Sequence, residues 1–131
     1  LLQSQVVYRN GQLARVRLTE GVELAVKKDT LQDATTQALL SVRPEKIYIT
    51  KTKPAKENAF KGTIEEEVFR GAMDELRIRI GGTPGPAGTP TGLHLMAMVP
   101  NESSHERSWH KGDTVYCTIH TDDIVVVEQK V

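Results

Sequence analysis

Short runs in which apolar and polar side chains alternate follow one another along almost the whole chain. In residues 14–18, for example, three apolar side chains alternate with Arg15 and Arg17. Because successive side chains of an extended strand point to opposite faces, this period of two predicts half-buried β-strands. No run predicts a long helix.

The first 26 residues show the pattern most clearly. Asn10-Gly11 predicts a type I′ hairpin turn, since both residue types tolerate positive φ. Glu20-Gly21 predicts a second turn, and the alternation then resumes. Residues 5–26 are therefore predicted to form a three-stranded meander.

The rest of the chain repeats this organisation. Further strands are predicted at 38–42, 47–49, 60–69, 76–80, 93–99, 115–119 and 124–127. Between them we expect a short helical turn near 31–34, a lysine-rich connection at 51–58, and loops at Gly81–Gly92 and 100–112. Nine to ten short strands at this spacing predict an all-β fold, a small barrel or sandwich.

Size and composition narrow the choice of function. A chain of 131 residues fits one domain, and no run approaches the roughly 18–20 apolar residues of a membrane span. Zero formal net charge and 5% aromatic residues disfavour a surface for single-stranded nucleic acid. One cysteine excludes a disulfide framework. The chain does not begin with Met, and we expect it to be part of a longer polypeptide.

No phosphate-binding loop of the form G-x-x-x-x-G-K-[ST] occurs in the sequence. The glycine-rich segment Gly81–Gly92 contains no lysine, so it lacks the cation that such a loop places on the phosphates. Its composition instead predicts a flexible hairpin tip.

The histidines do not predict a metal site. His105-Glu106 and His110 lack the H-E-x-x-H spacing, because their histidines are five residues apart rather than four. Cys117 and His120 are three residues apart on a predicted strand, which places them on opposite faces. We interpret Cys117 as a small core or boundary residue, and His105 and His110 as solvated loop residues. No catalytic residue and no metal ligand is predicted.

Two groups of charged residues admit more than one interpretation. The acidic run 65–67 is expected on a solvated surface, since its carboxylates alternate between faces. Arg15 and Arg17, and likewise Arg77 and Arg79, form basic strand faces. These arginines either keep the sheets soluble or contact an anion or an acidic patch of a partner.

Four fragments in a fixed order carry a family resemblance. The segment Val42–Ile47 has the form V-R-P-E-x-I, 59–64 the form F-x-G-x-[VI], 69–71 an aromatic-x-Gly turn, and 109–124 a closing G-D-x-V pattern with a last strand. Together they resemble the TOBE (transport-associated OB) domain found at the C-terminus of ABC importer ATPases. The V-R-P-E-x-I form is most similar to spermidine/putrescine-type importers. The structural motif residues are Phe60, Gly62, Phe69, Gly71, Trp109, Gly112 and Asp113.

The resemblance implies a compact OB-type barrel over residues 1–131, with a first strand group at 5–50 and the core TOBE region at 59–128. It implies a non-catalytic regulatory and dimerisation domain that contains no ATPase domain. ATP and Mg would bind only in the missing ATPase domain of the parent protein. The implied partners are that ATPase domain, a second copy and membrane permease subunits, at the cytoplasmic face of the plasma membrane without membrane insertion.

Arg43, Pro44 and Glu45 have two interpretations within this resemblance. They either end a strand structurally, with Glu45 accepting backbone N–H bonds at the next turn, or they contact another domain. Related TOBE domains of molybdate proteins suggest an alternative function, the binding of an oxyanion by the arginines. The Gly81–Gly92 loop is not part of the family pattern.

Overall fold

A computed structural model of the chain describes residues 1–18, 21–81, 92–100 and 109–131. These residues form ten strands: β1 (Leu2–Asn10), β2 (Leu13–Leu18), β3 (Glu23–Lys27), β4 (Gln37–Val42), β5 (Ile47–Thr50), β6 (Ala59–Arg70), β7 (Met73–Ile80), β8 (Leu93–Pro100), β9 (Thr114–Ile119) and β10 (Ile124–Lys130). The helical elements of this part of the chain are single 3-10 turns, and it contains no helix long enough and apolar enough to cross a membrane. The all-β prediction is confirmed.

The strands form two five-stranded antiparallel sheets, with the orders β10-β4-β1-β2-β3 and β5-β9-β6-β7-β8. Their inner faces share one apolar core, to which every strand contributes apolar side chains. The largest fully buried side chains come from both sheets and include Leu24, Leu40, Ile64, Leu76, Ile78 and Ile119. This arrangement confirms the small OB-like barrel.

The two halves of the chain repeat one plan and exchange their last strands. Each strand of one sheet corresponds to the strand five positions away in chain order in the other sheet. In this way β10, β4, β1, β2 and β3 correspond to β5, β9, β6, β7 and β8. After β4 the chain crosses to the other sheet to form β5, and after β9 it crosses back to form β10. Ile47 pairs with Ile119, and Ile124 pairs reciprocally with Val42. Neither sheet is therefore complete without a strand from the other half.

Two details of the sequence prediction are wrong. The first hairpin turns through Gly11 and Gln12, because Asn10 already pairs with Leu13. Positive φ at the first loop position alone, 63° at Gly11, is typical of a type II′ turn rather than type I′. The 3-10 turn lies at Lys28–Thr30, and the predicted position 31–34 has a single hydrogen-bonded turn, in which the Thr35 N–H donates to the Gln32 carbonyl at 3.0 Å.

Residue Asn58 joins the two sheets. Its side-chain carbonyl accepts a bond from the Ala25 N–H at 2.7 Å, and its amide donates to the Ala25 carbonyl at 2.8 Å. Its own backbone carbonyl accepts from the Ile119 N–H at 3.1 Å. Since Ala25 lies on the edge strand β3 and Ile119 ends β9, Asn58 closes the barrel between these strands.

The segment 28–36 after β3 is fastened to the barrel by side chains from both ends of the chain. The Gln129 carbonyl accepts from the Gln32 N–H at 2.8 Å and from the Thr35 hydroxyl at 2.7 Å, while its amide donates to the Thr30 carbonyl at 3.1 Å. Arg9 donates to the carbonyls of Gln32 and Thr35. The segment is thus held against β1 and β10.

Candidate functional site

The crossover Val42–Ile47 presents charged side chains to solvent. Arg43 is extended, as expected of a residue before proline, and a 3-10 turn at Pro44–Lys46 then leads into β5. Arg43, Glu45 and Lys46 are exposed, whereas Ile47 is buried. In the parts of the chain that the structure describes, no hydrogen bond reaches the Glu45 carboxylate. The structural bond expected of Glu45 is therefore not seen.

The second crossover, between β9 and β10, has partners within the domain. Asp122 forms an ion pair with Lys27, and the hydrogen bond and charge of Lys27 lower the pKa of Asp122. The ring of His120 meets the ring of Tyr48 edge-on, at 5.1 Å between centroids. The two crossovers are topologically equivalent, but within the described residues Asp122 of the second has an ion pair and Glu45 of the first has none.

The arginines predicted to contact an anion are divided between the sheets. Arg15 and Arg17 lie on β2, and Arg77 and Arg79 lie on β7. Ion pairs join Arg15 to Glu57 at 3.4 Å, Arg17 to Glu23 at 2.8 Å and Arg79 to Glu65 at 3.6 Å, and Arg77 lies opposite Glu66 across the β6–β7 pair. Carboxylates therefore already offset much of this positive charge.

The acidic run at 65–67 does not behave uniformly. A register shift in β6 between Ile64 and Glu66 accommodates Glu65 as an extra residue. Its carboxylate lies 2.7 Å from Nε2 of His94, and only 24% of its side chain is exposed. Glu66 is exposed, as predicted, whereas Glu65 is part of a partly buried charged cluster.

The motif residues occupy turns and contact points of the second sheet. Gly62 packs under Ile78 and Ile80, and Phe60 and Trp109 pack against the core. The Asp113 carboxylate accepts from the His110 N–H at 2.9 Å, in the turn at Gly112 that leads into β9. Gly71 forms the β6–β7 turn, and Phe69 beside it is 42% exposed.

The structure tests the metal and loop predictions only in part. Among the described residues, no three His, Cys, Asp or Glu side chains form a group able to hold a metal ion. His105 and Glu106 lie outside the described residues, as does the Gly81–Gly92 loop apart from its two ends. Cys117 is fully buried in the core, as predicted.

We expect Cys117 to be inert to thiol reagents in the native protein. Burial raises the pKa of its thiol to about 12, so the reactive thiolate is scarce at pH 8. In the unfolded chain the thiol ionises above pH 9.0, whereas in the folded chain it stays protonated up to a pH of about 12. The free energy of unfolding should therefore fall between these two pH values, by up to about 1.4 kcal/mol per pH unit. Labelling by a disulfide reagent with and without urea checks this. Rapid labelling without urea would contradict it.

Comparison with known proteins agrees with this geometry. A solved structure of the cytoplasmic molybdate-binding protein ModG, with molybdate bound, superposes with a TM-score of 0.72 at 16% sequence identity, over 95% of this chain and 92% of that one. This likeness shows the fold. No curated protein sequence gives a significant match. The family model of the TOBE domain matches residues 40–127, which include both crossovers and the described motif residues. The chain therefore belongs to the TOBE domain family.

Proposed function

We propose that this chain is a non-catalytic regulatory and dimerisation domain of the ATP-binding subunit of an ABC importer, of the spermidine/putrescine type. The parent protein would hydrolyse ATP with Mg in a separate domain and couple that reaction to solute import. It would lie in the cytoplasm against the plasma membrane, through contacts with permease subunits.

The exposed charges of the first crossover carry this proposal. Arg43 and Glu45 lie in the region that the TOBE family model matches. Both side chains are exposed, and neither has an ion pair within the described ranges. Because they contribute little to the fold of the barrel, their role is best explained by contact with another domain.

Variants of the parent protein test this role. We expect the double variant Arg43→Ala/Glu45→Ala to change solute-stimulated ATP hydrolysis severalfold. The free energy of unfolding of the chain itself should change by less than about 0.5 kcal/mol, because both substitutions are on the surface. The matched control, Lys28→Ala/Asp33→Ala, removes one exposed cation and one exposed anion elsewhere. Equal effects of both variants would refute the proposal, as would a parent polypeptide without a phosphate-binding loop.

A polar cavity supports a second candidate function, the binding of an oxyanion such as molybdate. The cavity measures about 380 Å³, and the side chains of Gln3, Gln5, Arg17 and Gln37 line it. Amide groups are suitable donors to a tetrahedral anion, and the Arg17 guanidinium would exchange its bonds to Glu23 for bonds to the anion. The fold shared with a molybdate-binding protein favours the same candidate.

Thermal unfolding in the presence of molybdate, tungstate, sulfate or a polyamine separates the two functions. An anion at a hundred times its Kd should stabilise the chain by about 2.7 kcal/mol. Arg17→Ala should abolish that shift and Arg77→Ala should not, since Arg77 lies on the other sheet. If no anion raises the unfolding temperature, only the regulatory and dimerisation function remains.

A further inference from the structure

Opposite charges are concentrated at the two ends of β6. Although the whole chain is formally neutral, residues 51–61 carry four lysines and one glutamate, whereas residues 65–75 carry five carboxylates and one arginine. The first segment leads into β6, and the second contains its end and the β6–β7 turn. The molecule therefore has a basic end and a more weakly acidic end along one strand, because at the acidic end Glu65 and Glu75 are paired with Arg79 and Arg70 and Asp74 is buried.

The basic end forms a cleft of about 560 Å³, which we call the lysine cleft. Lys53 and Lys56 line it, and Pro54, Ala59 and Phe60 provide apolar surface. The carboxylates that also line it, Glu23 and Glu57, are already paired with Arg17 and Arg15. Within the described ranges neither lysine has an ion-pair partner. The cleft therefore fits a partner that combines negative charge with apolar side chains.

The acidic end has that combination of properties. The tip of the β6–β7 hairpin, which we call the hairpin tip, exposes Val68 at 41% and Phe69 at 42%. Glu66 is exposed beside them, and Glu67, its neighbour in the chain, is partly buried on the opposite face of the strand. Exposed apolar side chains surrounded by charge are typical of surfaces that bind another protein.

The tip cannot reach the cleft of its own molecule. Ten residues of β6 separate Phe60 in the cleft from Arg70 at the tip, and a strand rises about 3.3 Å per residue, which gives roughly 33 Å. Since β6 pairs with β9 over Ala59–Thr63 and with β7 over Gly62–Arg70, its tip is held away from its own cleft, and the two surfaces meet only between molecules.

We propose that two copies of this chain associate by insertion of the hairpin tip of one copy into the lysine cleft of the other. The two surfaces are complementary in charge, which favours correct orientation and rapid association, and both contribute apolar area. The inference rests on the proposed function in naming a second copy as the partner. It adds the surfaces through which the copies meet.

Sedimentation velocity of the intact 131-residue chain over a concentration series tests this proposal. We expect reversible association that weakens at least about tenfold as salt screens the charges. Lys53→Glu/Lys56→Glu in the cleft and Glu66→Lys/Glu67→Lys at the tip should each weaken it by at least about tenfold. The control Lys28→Glu/Lys130→Glu reverses two exposed lysines away from both surfaces and should associate as the wild type does.

A mixture of the two charge-reversed variants gives the decisive result. Each mixed pair contains one unaltered tip facing one unaltered cleft, and one reversed tip facing one reversed cleft, so we expect association to return. Circular dichroism of each variant verifies its fold. A monomeric wild type, a control weakened like the cleft variant, or a mixture that stays monomeric would overturn the proposal. A monomeric wild type would contradict the dimerisation part of the proposed function as well, whereas the ATPase assay of the Arg43 and Glu45 variant tests the regulatory part independently. Failure of the mixture alone would overturn only the contact between tip and cleft.

Discussion

Replacing Asn58 by alanine is expected to lower the free energy of unfolding by about 3–5 kcal/mol. The substitution leaves the N–H and carbonyl of Ala25 without their side-chain partners, although Ala25 is 1% exposed. A buried polar group without a partner costs about 1–3 kcal/mol. The residue at this position also holds a positive φ of 59°, which asparagine tolerates better than alanine.

Urea unfolding of three variants separates these causes. Asn58→Gly tolerates the backbone conformation but removes both bonds, so it reports the hydrogen bonds. Asn58→Asp retains an acceptor for the Ala25 N–H and loses the donor. Glu57→Ala, at the exposed neighbouring position, is the control and should change stability by less than about 0.5 kcal/mol. An Asn58→Ala variant within about 1 kcal/mol of the wild type would show that Asn58 does not close the barrel.

Replacing Gly62 by valine is expected to destabilise the chain by about 3 kcal/mol or more, through overpacking. A Cβ atom at this position would lie 2.7 Å from Cγ2 of Ile78, 2.7 Å from Cδ1 of Ile80 and 3.0 Å from the Arg79 carbonyl oxygen. These contacts are well inside van der Waals distance, and the strands on either side hold the backbone in place. Gly62→Ala should show a smaller effect in the same direction.

A double variant distinguishes overpacking from a loss of backbone freedom. Ile80→Val removes the Cδ1 methyl group, so adding Gly62→Ala in that background should cost less than in the wild type. Gly71→Ala is the comparison for conformation, because Gly71 has a φ of 68° and open space around its Cα. Chemical denaturation measures the free energy of unfolding of each variant. Strictly additive effects at positions 62 and 80 would argue against steric conflict.

The sequence predicts strands well because their signal is local. The period-two alternation predicted β2 as part of the three-stranded meander. It also predicted a strand at 115–119, where the structure has β9 at Thr114–Ile119. It also correctly predicted that Arg15 and Arg77 point away from the core. Its failure at the first turn has a local cause too, because pairing of Asn10 with Leu13 moved the two-residue loop by one position.

The exchange of strands between halves has no local signal. The crossovers at Val42–Ile47 and 119–124 share an apolar residue at each end and an acidic residue at the fourth position, a pattern too short to reveal the repeat. Whether β5 pairs with β4 or with β9 depends on contacts about seventy residues apart. The pairing of β5 with β9 therefore becomes evident only in the three-dimensional structure.

The candidate sites depend on the same long-range contacts. Asn58 is an ordinary polar residue in a lysine-rich connection, and only its tolerance of positive φ hints at its place. The ion pair between Arg15 and Glu57 spans 42 residues and was not predictable from alternation. The lysine cleft depends on this pairing, which occupies Glu57 and leaves Lys53 and Lys56 without an ion pair among the described residues, and on the turn that brings them beside Phe60.

Amide chemical shifts of the nitrogen-15-labelled chain, recorded during two titrations, test the central claim most directly. The account predicts no shift changes on addition of Mg·ATP, because the domain holds no nucleotide. It predicts changes centred on Val42–Ile47 on addition of the parent protein's ATP-binding domain. Saturable changes with Mg·ATP alone, or an ATP-binding domain that leaves the crossover unaffected, would contradict the account.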